Sequence, residues 1–108
     1  MFCVYIIFSR KLNRYYVGTT DDFVKRLAEH NDIKHPGSFT SRGIPWESYL
    51  LIDDLHSEQA YQIEEHIKNM HSKKYIQNLK RYPEIIYGLL IWCLKDFFLH
   101  LLNNSLSP

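Results

Sequence analysis

The sequence has few cysteines, glycines and prolines, and its charges almost cancel. Cys3 and Cys93 lie far apart, with no Cys-x-x-Cys pair and no Cys/His cluster beside either, so we expect a reduced protein without structural zinc. No signal peptide is visible, and a cytoplasmic location is therefore expected. Thirteen Lys and Arg residues against twelve Asp and Glu residues give a net charge of +1. Any surface that binds nucleic acid must consequently be a local patch.

The sequence also lacks an uninterrupted apolar run long enough to cross a membrane. Its most hydrophobic segment, near the C-terminus, is interrupted by Lys95 and Asp96 before the roughly 20 apolar residues that a transmembrane helix needs. Pro83 and Glu84 suit the first turn of a helix. We therefore predict a largely apolar helix over residues 84–102 that packs against the domain or against a second copy of the chain in a homo-oligomer. A membrane-surface anchor is the alternative.

What the chain does contain, 45% apolar and 15% aromatic residues, suffices for one compact domain with one core. Changes of hydrophobic period from two to 3.6 predict an α/β (α+β) fold, a three-stranded antiparallel sheet flanked by helices, with an extra apolar C-terminal helix. The predicted strands cover residues 2–8, 15–18 and 47–52, the predicted helices cover 21–31, 57–70, 72–80 and 84–102, and an extended loop covers 33–46.

Two tyrosines occupy similar positions on either side of the first predicted hairpin. Strand alternation puts Tyr5 on the opposite face from Val4 and Ile6. Directly opposed residues of an antiparallel pair share a face. Tyr5 and Tyr16 therefore lie on the same face if Tyr5 opposes either Tyr16 or Gly18, and a slip of one residue would separate them.

Each of the first two long helices presents unusual charged residues. On helix 21–31, His30 follows Arg26 by one turn, so two potentially cationic groups are stacked, and the simplest interpretation is that both are solvated. On helix 57–70, Glu64 borders the apolar stripe whereas Glu65 faces water. A half-buried carboxylate is costly unless it is paired or binds a cation, and Lys68 is a plausible ordinary partner. The predicted stripe consists of Ala60, Ile63, Ile67 and Met70.

Taken together, these residues resemble the GIY-YIG nuclease family in order, spacing and element. The resemblance is carried by Tyr5 in "CVY", Tyr16 in "YVG", Arg26 with His30, and Glu64 in "AYQIEEHIK", and it extends to "FTSRGIPWE" and "SKKYI". It implies a nuclease domain over residues 1–80 and a helical extension over 81–108. Cys3 and Val4 stand at the Gly-Ile positions of the first motif and Val17 at the Ile position of the second. Asn78 is the candidate for an asparagine that many members carry after the glutamate helix.

The resemblance implies a metal-dependent endonuclease that hydrolyses phosphodiester bonds. Glu64 would hold one divalent ion, Mg²⁺ or Mn²⁺, because hard carboxylate oxygens suit such ions. Arg26 would neutralise the phosphate through its planar fork of donors. The two tyrosines would line the site and position the attacking water, and the general base could be Tyr5, Tyr16 or His30.

The implied substrate is nucleic acid, with DNA in repair or structure-specific cleavage as the expectation, although no motif separates DNA from RNA. Two other function classes compete with this one: a catalytically silent nucleic-acid-binding module, and an interaction protein that recruits a partner through its C-terminal helix. Retention of the full catalytic set favours the enzyme. The candidates for phosphate contacts are Arg10, Lys11, Arg14, Lys34, Arg42, Lys73 and Lys74.

Overall fold

The computed structural model describes residues 1–33 and 39–106. These residues form a small antiparallel sheet and the helices that cover it. The elements are β1 (Phe2–Ser9), β2 (Arg14–Thr20), α1 (Phe23–His30), α2 (Phe39–Arg42), β3 (Trp46–Leu55), α3 (Ser57–Asn69), α4 (Lys73–Arg81) and α5 (Pro83–Leu106).

The sheet has the strand order β2-β1-β3, and both pairings are antiparallel. The first strand is therefore central, which explains why its residues from Cys3 to Ile7 are all buried. The β2 strand lies at an edge of the sheet. The predicted three-stranded antiparallel sheet flanked by helices is confirmed.

The β1–β2 register decides where the two tyrosines lie. Tyr5 opposes Gly18 and Ile7 opposes Tyr16, so the second of the two favourable registers is present. Tyr5 and Tyr16 consequently project from the same face of the sheet.

Both faces of the sheet are covered. On one face, Val4 and Ile6 form the main core with helices α3, α4 and α5, and Ile63 and Ile67 of α3 pack there almost completely buried. The other face carries a smaller core, which is built around Tyr5, Ile7 and Trp46 and is completed by Tyr16, Phe23 and Leu27. A strand that is buried on both faces is expected to have a nearly continuous apolar sequence, as β1 does.

Several details differ from the sequence prediction, and β3 (Trp46–Leu55) is also longer than the predicted strand 47–52. The short helix Phe39–Arg42 lies within the segment predicted as extended loop, and the Trp46 indole N–H, which donates to the Thr40 carbonyl oxygen at 2.6 Å, fixes it. Helix α1 begins at residue 23 because the Asp22 carboxylate caps it by accepting from the Lys25 amide. Met70 is 45% exposed and does not extend the α3 stripe.

The C-terminal helix is confirmed and is longer than predicted. Leu89 and Cys93 are buried in the main core, where α5 contacts α3 and α4. Its other side exposes apolar residues such as Tyr87 and Ile91, each 65% accessible. Within the described part of the chain, none of the helices combines the length and the apolar character that spanning a bilayer demands.

Gly18 is the position where the fold depends most directly on a missing side chain. A Cβ there would overlap the phenol oxygen and Cζ of Tyr5 and lie 2.8 Å from its Cε1. We expect Gly18→Ala to lower the free energy of unfolding by about 1–3 kcal/mol, because the buried Tyr5 ring must shift. Urea denaturation measures this loss.

Two variants test whether overlap with Tyr5 is the cause. In a Tyr5→Val background the cost of Gly18→Ala should shrink, as expected for coupled neighbours. Gly88→Ala on α5 is the control, since nothing lies within 4 Å of the added Cβ, and it should be neutral or stabilising. Equal costs of Gly18→Ala with and without the Tyr5 ring would contradict the explanation.

Candidate functional site

The hydroxyl group of Tyr5 is the centre of the candidate site. Tyr5 is only 1% exposed, and its ring lies across the bare backbone of Gly18. Its phenol oxygen accepts a hydrogen bond from Arg26 Nε at 3.3 Å and lies 2.8 Å from His30 Nε2. A strand residue and two residues one turn apart on α1 therefore meet at a single oxygen.

Tyr16 forms the neighbouring wall of this site. Its ring stacks on Tyr5 with 6.3 Å between centroids and lies 4.8 Å from the His30 ring. Trp46 approaches Tyr16 edge-on at 6.3 Å. Unlike Tyr5, Tyr16 is only partly buried. The structure thus brings both predicted tyrosines together with Arg26 and His30.

Burial and the Arg26 cation act in opposite directions on Tyr5. Desolvation raises the pKa of the Tyr5 phenol, while the hydrogen bond and positive charge of Arg26 lower it by less. The Tyr5 hydroxyl conversely raises the pKa of Arg26, and so does Glu29, whose carboxylate lies 2.8 Å from Arg26 Nη1. The resting site therefore contains a neutral phenol beside a permanent cation. Arg26 remains 40% exposed, so a substrate can reach it.

His30 is a buried neutral imidazole. It is 4% exposed, and burial together with the nearby Arg26 charge lowers its pKa to about 4. The interpretation of Arg26 and His30 as two solvated cations is therefore wrong. The two residues do not repel each other as charges, because His30 carries none near neutral pH and the Tyr5 oxygen lies between them.

Glu64 lies on α3, which covers the other face of the sheet. As predicted, it borders the buried face, with a 16% exposed side chain, whereas Glu65 is exposed. Its Oε2 accepts from the Thr19 hydroxyl at 2.6 Å and its Oε1 lies 2.7 Å from Lys68 Nζ. The negative charge of Glu64 also raises the pKa of Tyr5. The expected Lys68 partner is thus present.

Two supporting residues escaped the sequence analysis. Thr19 opposes Val4, so strand alternation points its hydroxyl towards α3, and this parity could have identified it. The Asn31 side chain both donates to the Trp46 carbonyl oxygen at 3.0 Å and accepts from the Trp46 amide at 2.6 Å. These two hydrogen bonds hold the end of α1, which includes His30, against the start of β3. Nothing in the sequence pairs residues 31 and 46.

The chemistry of Glu64 fits one hard divalent ion. Within residues 1–33 and 39–106, no cluster of three or more His, Cys, Asp or Glu side chains could hold a metal alone. A single carboxylate nevertheless suits Mg²⁺, which usually keeps several water ligands and binds through one or two carboxylates plus substrate phosphate. The residues present therefore suit an ion shared with a phosphate group.

The described candidates for phosphate contacts lie on the β1–β2 hairpin, at the start of α4 and at the end of α2. Lys73 Nζ donates to the Asn13 carbonyl oxygen at 2.6 Å, which joins the start of α4 to the β1–β2 hairpin. Arg10 is 84% exposed and forms an ion pair with Glu47 at 2.7 Å. Lys34 lies outside the described residues. The remaining candidates, all exposed, are Lys11 and Arg14 on the hairpin, Arg42 at the end of α2, and Lys74 beside Lys73.

The position of Asn78 within a helix is confirmed. It lies in α4, and its backbone carbonyl accepts the N–H of Tyr82 at 2.8 Å where that helix ends. Its side chain is partly buried. Correspondence with the asparagine of other family members stays a prediction.

Comparisons with known proteins give matches at the level of sequence. A sequence model of the GIY-YIG catalytic domain matches residues 1–78. A similar protein is the "Structure-specific endonuclease subunit SLX1" of Scheffersomyces stipitis, 31% identical over 84 residues that cover 72% of this chain and 25% of that protein. The chain therefore spans about a quarter of the length of this relative. No solved structure gives a significant match.

The buried neutral state of His30 predicts a pH-dependent stability. The pKa of His30 is about 4 in the folded protein and roughly 6.5 in an unfolded chain. Between these values only the unfolded state takes up the proton, so stability is lost as the pH falls below about 6.5. Replacing His30 by Gln should remove about 2 kcal/mol of the difference in unfolding free energy between pH 7 and pH 5.

Urea denaturation at the two pH values measures this difference. The matched control is His56→Gln, which changes an exposed histidine and should leave the pH dependence of the parent intact. An equal pH dependence in His30→Gln and the parent would show that His30 is not the group responsible.

Proposed function

Because this chain belongs to the GIY-YIG family, we propose that it is a divalent-metal-dependent endonuclease that hydrolyses phosphodiester bonds in DNA. The observation that carries the proposal is the convergence at the Tyr5 hydroxyl. A permanent cation, Arg26, contacts that oxygen, and the charge of a half-buried carboxylate, Glu64, acts on it from another element. Phosphodiester hydrolysis needs an activated water and positive charge where negative charge develops.

Arg26 binds the scissile phosphate in this proposal. Its Nε is committed to Tyr5 and its Nη1 to Glu29, so its position is fixed before substrate arrives. A pre-oriented guanidinium stabilises developing charge without reorganising during the reaction. The ion pair with Glu29 orients the Arg26 guanidinium group. The accessible part of the Arg26 side chain would face the substrate.

In this proposal, the attacking water loses its proton to a group in the cluster formed by Tyr5, His30 and Tyr16. We propose that the neutral His30 ring accepts a hydrogen bond from the Tyr5 hydroxyl, since the two atoms are 2.8 Å apart, and that this bond orients the Tyr5 oxygen. The hydrogen bond and charge of Arg26 would favour the Tyr5 phenolate once the phenol proton has passed to solvent, and the phenolate would then accept a proton from the attacking water. The more accessible Tyr16 borders the water. Glu64 would hold one Mg²⁺ or Mn²⁺ ion, which would supply positive charge to stabilise the negative charge that develops during hydrolysis.

Two observations support the proposed substrate: the exposed basic residues on the surface and the name of the similar protein. The exposed basic residues of the hairpin and the start of α4 form a joined surface through the contact of Lys73 with Asn13, and such surfaces bind phosphate backbones without reading sequence. The similar protein is named a structure-specific endonuclease subunit. We therefore propose structure-specific cleavage of DNA, as in repair, rather than recognition of a base sequence.

Glu64→Gln tests the role of the carboxylate. The substitution keeps the shape of the side chain and removes the charge that binds the ion, so cleavage should be abolished while DNA binding persists. Cleavage is measured on a panel of labelled duplex, branched and single-stranded oligonucleotides with Mg²⁺, with Mn²⁺ and with chelator.

The neighbouring exposed carboxylate provides the control, and Glu65→Gln should cleave like the parent. Cleavage by Glu64→Gln at the parent rate, or parent cleavage undiminished by chelator, would rule out the metal mechanism. Binding without cleavage on every substrate would instead support a catalytically silent module.

Arg26→Ala tests charge stabilisation. Removing one preorganised stabiliser should lower kcat by roughly 10² to 10³, with a smaller change in substrate binding because the contact strengthens in the transition state. Single-turnover cleavage of the best substrate measures the rate. Lys25→Ala, which removes an exposed cation from the same helix, should have little effect on the rate. Equal losses in the two variants would indicate bulk attraction of DNA rather than catalysis.

A further inference from the structure

The Glu64 carboxylate has both of its oxygens occupied in the protein alone. Thr19 donates to Oε2 at 2.6 Å, and Lys68 Nζ lies 2.7 Å from Oε1. Both partners are charged or strongly polar, and the carboxylate is 16% exposed. We propose that Lys68 is the resident counter-cation of Glu64, which a divalent ion must displace in order to bind.

Simultaneous binding of Lys68 and a divalent ion to the Glu64 carboxylate is unfavourable. A Mg²⁺ ion would bind a Glu64 oxygen at roughly 2.0–2.1 Å, close to an ammonium group on the same side chain. Like charges so near one another repel strongly where solvent is partly excluded. The hydroxyl of Thr19 carries no net charge and can keep its hydrogen bond to Oε2. The ion therefore competes with Lys68 rather than with Thr19.

The structure provides space for the displaced side chain. Lys68 is 50% exposed and lines a groove of about 350 Å³ between β2 and the α3–α4 connection. Tyr16, His71 and Ser72 line the same groove. An ammonium that leaves Glu64 can move there without unfolding any element, and it stays beside the tyrosine that borders the site. Metal binding at Glu64 would therefore move the positive charge of Lys68 into the groove.

This inference rests on the proposed metal role of Glu64 and makes a separate prediction. Removing the Lys68 charge should strengthen metal binding, because the ion no longer displaces a competitor. We expect Lys68→Met to bind Mn²⁺ at least about fivefold more tightly, the lower end of typical coupling effects. The measurement is a Mn²⁺ titration of ¹⁵N-labelled protein without DNA, followed by paramagnetic broadening of the Thr19 and Glu64 amide signals.

Three variants complete the experiment. Lys68→Arg keeps a cation at the position and should bind Mn²⁺ more like the parent than Lys68→Met does. Lys74→Met removes the same charge from an exposed position on α4 and should leave the affinity near the parent value. Glu64→Gln sets the background of non-specific broadening.

Each outcome separates the inference from the proposed function. Tighter binding by Lys68→Met, with Lys74→Met unchanged, supports displacement. Unchanged binding by Lys68→Met, or equal shifts in both Met variants, overturns the inference while the metal role of Glu64 stands. Broadening no greater in the parent and Lys68→Met than in Glu64→Gln overturns both, because no ion then binds for Lys68 to oppose.

Discussion

The arrangement of the site depends on the absence of a side chain at Gly18. Tyr5 projects from the central strand and must cross the edge strand to reach α1. It does so directly over Gly18, where a Cβ would overlap its ring. Along this path the phenol oxygen meets both Arg26 and His30. The register that sets Tyr5 opposite Gly18 therefore fixes the pairing of the strands and the centre of the site together.

Burial then decides the charge states of the groups that meet there. Desolvation outweighs the favourable effect of Arg26 on the Tyr5 phenol, and it combines with Arg26 to keep His30 uncharged. The guanidinium, which stays accessible, keeps its charge under all ordinary conditions. The network thus has one fixed cation and two neutral groups that share a short hydrogen bond. Both groups therefore keep their neutral forms in the resting site.

The sequence predicts those features that follow from local periodicity. Alternation places Tyr5 and Tyr16 on one face once the register is given, and helical geometry separates Glu64 from Glu65. The neutral charge of His30 could not be inferred in this way, because it depends on burial under residues distant in sequence. The helix Phe39–Arg42 was missed for a similar reason, since it is fixed by the Trp46 indole and its segment contains residues typical of loops. Long-range contacts, which leave no periodic signal, account for these differences.

Glu64 also shows how the hydrophobic core positions a site on the far side of a sheet. Its helix packs through Ile63 and Ile67 on the face opposite Tyr5, and the carboxylate accepts a hydrogen bond from Thr19 of the edge strand. The C-terminal helix buries Leu89 and Cys93 in this same core and contacts α3. A shift in that packing would move the Glu64 carboxylate, whose charge raises the pKa of Tyr5. The apolar extension is therefore coupled physically to the site through α3, although none of its described residues belongs to the Tyr5 network.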